Sequence, residues 1–275
     1  MQGFWRRFMR NRPAVFGLVF LGLVALMALL APLLYPGSPF QIVDQPFRPP
    51  FGRHLLGTDS LGRDIAAGIV HGARTSLLIG IVATIAAVAV GTVLGGLAGF
   101  YGGAVDDALM RVTEFFQTIP YFIFAIVLVA ILSPSTQSIV IAIATVSWPP
   151  IARLVRGEFM AMRNREFVQA SICLGLSDPA IIFRQILPNS LSPIIVAGSL
   201  MVATAILIEA ALSFLGLGDP NAMSWGFMIG AGRSFLRDAW WLCTIPGIMI
   251  LLTVLSINLV GEGLNDALNP RLRTL

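Results

Sequence analysis

The chain has 275 residues and a mass of 29.5 kDa, with 56% hydrophobic residues, 12% charged residues and a mean hydropathy of +0.84. A soluble globular protein carries about 25% charged residues, so a soluble enzyme is excluded and a polytopic membrane protein is indicated. The net charge of +4 comes from eighteen arginines without a single lysine, which excludes a P-loop, whose lysine reaches the β/γ-phosphates, and a Schiff-base nucleophile.

A transmembrane helix needs about 20 mostly apolar residues, and six segments qualify in turn. Residues 14–34 carry no charge. They are longer than the roughly 7–15 residues of a signal-peptide core and no A-x-A site follows, so they read as a retained anchor. Next come 77–100, then 115–132 with Gln117 and Thr118 as its polar residues, then 138–152, short and interrupted by Pro149 and Pro150. The fifth, 191–212, is apolar up to Glu209, and the sixth is 240–260. Two long outer loops, 35–75 and 214–239, and one long inner loop, 153–188, separate them.

Arginine placement sets the orientation. With the N-terminus inside, twelve arginines are cytoplasmic: Arg6, Arg7, Arg10, Arg12, Arg111, Arg153, Arg156, Arg163, Arg165, Arg184, Arg271 and Arg273. Six remain outside: Arg48, Arg53, Arg63, Arg74, Arg233 and Arg237. Both termini are therefore expected in the cytoplasm. Cys173 and Cys243 then lie on opposite sides and form no disulfide. These cysteines, with His54 and His71, are too few and scattered for a metal cluster. The arginines flank apolar runs instead of forming the stripe of a nucleic-acid binder.

The inner loop has internal order. Phe167, Ala170, Ser171 and Leu174 recur at helical spacing. Gly175 stands where a helix stops in the left-handed conformation. Ser177 or Asp178 can cap a second helix, with Pro179 in its first turn, and Pro188 marks the approach to the next span. The product is a helix, a glycine turn and a second helix. Either it is an amphipathic loop lying on the membrane surface or a rigid docking knob for a soluble partner.

This loop resembles the EAA loop of permease subunits of bacterial ABC importers, in which Glu-Ala-Ala is followed after three residues by Gly and then by a downstream Leu-Pro. Gln169-Ala170-Ser171, Gly175 and Leu187-Pro188 fall on that pattern, with Gln in place of Glu and Ser in place of the second Ala. Glutamine keeps length and hydrogen bonding but not the charge. Segments 54–64 (HLLGTDSLGRD), 72–77 (GARTSL), 211–218 (ALSFLGLG), 224–226 (SWG) and 269–273 (NPRLR) are similar to the dipeptide/oligopeptide/nickel branch, specifically its second permease subunit.

The resemblance implies an all-α membrane protein with six transmembrane helices, the type I ABC importer permease fold and one permease domain over residues 1–275. It implies a multi-pass protein of the bacterial inner membrane that is not itself an enzyme and holds no cofactor. ATP and Mg would be bound by two partner ATP-binding subunits. The other implied partners are a homologous second permease, an extracytoplasmic solute-binding protein and membrane lipid, with no nucleic acid. The ATPase-coupling residues carried over are Glu166, Gln169, Ala170, Ser171, Gly175, Leu187 and Pro188. The implied function is half of a translocation pathway for short peptides, working by alternating access. Nickel complexes and glutathione-like solutes are alternative cargoes, and a self-sufficient secondary transporter or channel is an alternative of another class.

Three features keep two readings each. Glu209 follows a long apolar run and precedes the apolar 210–217, so it is a pathway or gate candidate, or else it is solvated at the interface or holds helices together. Gly91, Gly95 and Gly99 form overlapping G-x-x-x-G steps, which favour close helix packing in lipid over substrate contact. The Gly, Thr and Asp of 56–64 suit tight Asx-type turns more than a cation site, since a calcium loop needs more oxygen ligands at regular spacing.

Overall fold

The computed structural model describes Trp5 and residues 8–268. Arg6, Arg7, Arg271, Arg273 and the 269–273 motif lie outside the described residues. Every regular element among the described residues is helical.

Helix α1 (Arg12–Leu29) begins where the Asn11 side chain accepts the Ala14 N–H at 3.2 Å, and a one-turn helix α2 (Ala31–Leu34) follows. Helix α3 (Ile65–Tyr101) has 37 residues, about 55 Å at 1.5 Å per residue. It starts twelve residues before the apolar run at 77, because Asp64 caps it by accepting the Ala66 N–H at 2.8 Å. Ile65, Ile69 and Ala73 then bury against protein. It stops at Gly102, with φ +67.

The 115–132 segment is divided. Helix α4 (Gly103–Thr118) and helix α5 (Tyr121–Leu132) meet at 83°. Pro120 has no N–H with which to close a helical bond, and Ile119 before it is extended at φ −88, ψ 128 as a pre-proline residue prefers. Twelve residues of α5 rise about 18 Å, short of the roughly 30 Å hydrocarbon core. Five helices are long and apolar enough to cross a membrane, and this bent pair makes a sixth when taken together.

Helix α6 (Thr136–Arg163) runs unbroken through Pro149 and Pro150, so the inner loop begins eleven residues later than the apolar pattern indicates. At its other end, Asp219 Oδ2 accepts from the Thr136 N–H at 2.8 Å and the Thr136 hydroxyl at 2.7 Å. Burial alone would raise the Asp219 carboxyl, but these bonds and the Asn221 N–H hold it below its ordinary value. The tie is therefore complete at neutral pH and is lost only as pH falls through that lowered value.

Helix α7 (Glu166–Cys173) and helix α8 (Asp178–Ile181) form a hairpin within the 153–188 segment. A π-helical turn, Ile182–Ile186, leads straight into helix α9 (Leu187–Leu212). Leu187 and Pro188 thus sit inside a continuous helical run, Asp178–Leu217, not before its start. The wider turn accommodates the missing proline N–H. Helix α10 (Trp225–Gly232) lies within the 214–239 segment with Trp225, Gly226 and Gly232 buried, and helix α11 (Trp241–Leu268) is the last described element.

The core is built on α3 against α6. A Cβ placed on Gly91 would stand 2.7 Å from Ile151 Cβ, and one on Gly99 would stand 2.6 Å from the Arg156 carbonyl oxygen. The glycine stripe therefore lets two backbones touch. Arg156 forks onto Asp106 at 2.5 and 2.6 Å and fixes α4 to α6. Asn11 donates to Asp266 Oδ2 at 3.2 Å, so the start of α1 and the end of α11 meet at one face of the bundle.

Candidate functional site

Three places bring polar or exposed groups together: the α7–α8 hairpin, a cavity between helices and the surroundings of Glu209.

Helix α7 ends in a Schellman motif. The Gly175 N–H donates to the Ile172 carbonyl at 2.9 Å, the Leu176 N–H donates to the Ser171 carbonyl at 3.2 Å, and Gly175 has φ +76. Ser177 occupies the cap position of α8 but its side chain makes no capping bond. Glu166 lies in the first turn of α7, where a carboxylate suits the helix dipole. Gln169 Nε2 donates to the Arg163 carbonyl at 2.9 Å, a bond that an ionised glutamate, being acceptor-only, could not make. The Ser171 hydroxyl donates back to the Phe167 carbonyl at 2.9 Å.

Val168 and Ile181 are fully buried and seat the hairpin in a cluster with Val155 and Phe159 of α6 and Ile194 of α9. The other side of the hairpin faces outward. Phe167, Ala170, Ile172 and Leu174 are exposed, Leu174 at 79%. The apolar spacing visible in the sequence is thus largely the face that this chain leaves uncovered. Leu187 and Pro188 stand on the stem, not on that face.

A cavity of about 780 Å³ opens between the α4–α5 bend, α6 and α9. Its walls include Phe116, Pro120, Pro150, Ile151, Leu200, Met201 and Ile208, with Gln117, Tyr121, Ser147 and Thr204 as the polar members and no charged side chain.

Glu209 is not among the residues lining that cavity. It is 1% exposed. Its Oε1 accepts from the hydroxyls of Ser213 at 2.8 Å and Ser224 at 2.7 Å, and its Oε2 accepts from Ser76 at 3.4 Å. Ser76 in turn accepts the Trp225 N–H at 3.3 Å, and Trp225 Nε1 donates to the Ile69 carbonyl at 3.0 Å. One carboxylate thus gathers α3, the end of α9 and the start of α10. Only Ser213, four residues on, was legible as its partner. Ser76 and Ser224 belong to the GARTSL and SWG motifs, and nothing local in the sequence joins them.

The 56–64 segment spends its oxygens on its own backbone. Asp59 Oδ1 accepts the N–H groups of Leu61 and Arg63, each at 2.8 Å. Thr58 donates to the Gln45 carbonyl at 2.7 Å. Nearby, the Gln45 N–H and then Arg48, Arg53 and His54 hold the Asp44 carboxyl below its ordinary value. This is loop-ordering chemistry.

Comparison with known proteins adds identity to this geometry. The family model described as "Binding-protein-dependent transport system inner membrane component" matches residues 91–274, and "N-terminal TM domain of oligopeptide transport permease C" matches residues 1–50. A di/tripeptide transport system permease protein of Pseudomonas aeruginosa is 42% identical, over 99% of this chain and 93% of its own length. Dipeptide transport system permease proteins of Alkalihalophilus pseudofirmus and Bacillus subtilis are 42% and 38% identical, over 98% and 99% of this chain and 90% and 86% of theirs. Among solved structures, a chain of the MetNI methionine ABC transporter in an inward-facing conformation superposes with TM-score 0.58 at 17% identity, covering 71% of this chain and 93% of that one; this likeness concerns the fold. The chain therefore belongs to the binding-protein-dependent transport system inner membrane components, as a multi-pass, non-catalytic permease subunit of the peptide ABC importer family.

Proposed function

We propose that this chain is one half of an ATP-driven pathway for short peptides, with both termini cytoplasmic and a single permease domain over residues 1–275. Its partners are a homologous second permease, two ATP-binding subunits that hold ATP and Mg, and an extracytoplasmic solute-binding protein. The observation that carries the reading is the hairpin, with an exposed apolar face on one side and Val168 and Ile181 wedged into α6 and α9 on the other. Those two helices also wall the cavity. A push on Ala170 and Gly175 by closing ATPase subunits would thus be delivered to the two helices that border the solute. Glu166, Gln169 and Ser171 brace α7, and Leu187 and Pro188 carry the motion into α9. The di/tripeptide relatives support peptide cargo. The test of this reading is peptide uptake by the reconstituted complex with and without ATP hydrolysis.

The orientation rests on arginine placement and on the Asn11–Asp266 contact, which brings both ends of the bundle to one face. Reporter fusions at Arg12, Ser171 and Arg273 are expected to give a cytoplasmic signal, and those at Arg53 and Arg233 an external one. A cytoplasmic signal at Arg233 contradicts the six-span arrangement.

Glu209 serves in this proposal as a gate residue acting through α10, not as a wall of the cavity. Glu209→Gln keeps the shape and the bonds from Ser213 and Ser224, but turns an amide N–H toward Ser76. The complex should assemble and peptide uptake should fall several-fold, as expected when a bond of about 1 kcal/mol is weakened because the Ser76 hydroxyl must accept from the amide instead of donating to a carboxylate. Uptake equal to the parent's reduces Glu209 to an internal brace.

A further inference from the structure

The cavity holds polar groups that packing does not use. Gln117 comes from the end of α4, Ser147 from α6 and Thr204 from α9, so three helices contribute one neutral polar side chain each. None of the three side chains makes a hydrogen bond to another group among the described residues. Other helical hydroxyls in the chain do close onto their own backbone: Thr113 onto the Leu109 carbonyl at 2.8 Å and Ser199 onto the Val196 carbonyl at 2.7 Å. Ser147 lies eleven residues from the Thr136 end of its helix and Thr204 eight from the Leu212 end of its own. At about 1.5 Å per residue both stand some 12–17 Å from those ends, well within the bilayer's span. Gln117 and Thr204 are exposed and Ser147 is half-buried, so their polar atoms open onto the cavity, and within the bilayer's span such groups need a polar neighbour because lipid offers none. Three that converge on one space are matched by a polar occupant.

The chemistry of that occupant follows from what the walls offer. They carry no ionised group, so charge on a solute finds no counter-ion from this chain. Gln117 presents a carbonyl acceptor and an amide donor side by side, which complements one peptide unit. The hydroxyls of Ser147 and Thr204 can each donate or accept, and so fit a neighbouring carbonyl or N–H. We propose that Gln117, Ser147 and Thr204 form an amide-reading site, which holds the passing solute through its neutral peptide groups and ignores the charge of its side chains. This rests on the peptide-importer reading and adds to it the group that is recognised.

The test uses the complete transport complex in proteoliposomes, with saturating loaded binding protein so that delivery is the same for every permease variant. Two probes are compared: a dipeptide and the same dipeptide methylated on its amide nitrogen, which keeps both terminal charges but has no amide N–H. The parent should move the dipeptide several-fold faster than the methylated form. The triple variant Gln117→Leu, Ser147→Ala, Thr204→Val, scored only after co-purification shows an assembled complex, should slow dipeptide uptake about tenfold or more, since each neutral hydrogen bond is worth about a factor of 2–12. It should also move the two probes at equal rates. Thr204→Ser alone, which keeps the hydroxyl, should keep the preference, whereas Thr204→Val should weaken it. The site is overturned if the triple variant retains the parental rate or the parental preference, or if Thr204→Val and Thr204→Ser behave alike. A parent complex that moves no peptide at all would instead overturn the importer reading, and this inference with it.

Discussion

Gly175→Val is expected to abolish most ATP-driven uptake while the helices remain folded and inserted. Gly175 has φ +76, and a Cβ there would meet nothing within 4 Å. The effect is therefore backbone strain rather than a clash with neighbours. The left-handed conformation costs an L-residue about 1–2 kcal/mol, and more for a β-branched one. That cost lowers the ratio of native to alternative turn conformations about 5–30-fold. The glycine turn closes through the bonds of Gly175 to Ile172 and Leu176 to Ser171, so relief of the strain moves exposed Leu174 and Leu176. Asparagine tolerates this conformation, and Gly175→Asn should retain most of the uptake. Ala170→Asp, which places a charge in the middle of the exposed apolar face, should fail as Gly175→Val does. Co-purification with the ATPase subunits, followed by uptake in proteoliposomes, checks each variant. If Gly175→Val co-purifies and transports like the parent, the hairpin is not the coupling element.

Gly95→Ala should destabilise the folded chain, although alanine is a better helix former than glycine by about 1 kcal/mol. The added Cβ would overlap the Ala152 carbonyl oxygen and lie 2.9 Å from its carbon and 3.0 Å from Ala152 Cα. These are backbone atoms and cannot swing away, so α3 and α6 must separate along the stripe that also includes Gly91 and Gly99. Overpacking of this kind costs typically 1–3 kcal/mol, which outweighs the propensity gain. Gly22→Ala is the matched control, because a Cβ there meets nothing within 4 Å. Thermal unfolding of the detergent-solubilised chain should show a lower midpoint for Gly95→Ala and an unchanged or higher one for Gly22→Ala. Equal midpoints would contradict the close α3–α6 contact.

What the sequence made legible was set by local chemistry. Gly175 followed by Ser177, Asp178 and Pro179 announces a left-handed stop and a fresh helix start, and that is the geometry found. The G-x-x-x-G spacing at Gly91, Gly95 and Gly99 announces a close neighbour, and α6 supplies it. Apolar runs located the bundle but not the ends of its helices, which are fixed by Asp64, Ser135 and Gly102 as caps. The division of the third segment at Pro120 depends on how far two half-helices can tilt, which packing decides. The seating of α10 was hidden because 214–239 reads as a loop until Trp225 is seen, 0% exposed, packed on Gly72 of α3. The Glu209 cluster was hidden for the same reason: Ser76 lies 133 residues away, and no periodicity connects them. Gln169 shows the reverse case. Its departure from the family's Glu looked like the loss of a charge, and the fold uses its amide as a donor instead.

The most direct measurement of the account is dipeptide uptake into proteoliposomes holding this chain with its partner permease, ATPase subunits and loaded binding protein. ATP is supplied on the hairpin side, and a parallel sample receives a non-hydrolysable analogue. Accumulation is expected with ATP, none with the analogue, and none when this chain is reconstituted alone with an ion gradient. Gradient-driven accumulation by the chain alone would contradict ATP-driven import and establish a self-sufficient carrier in its place.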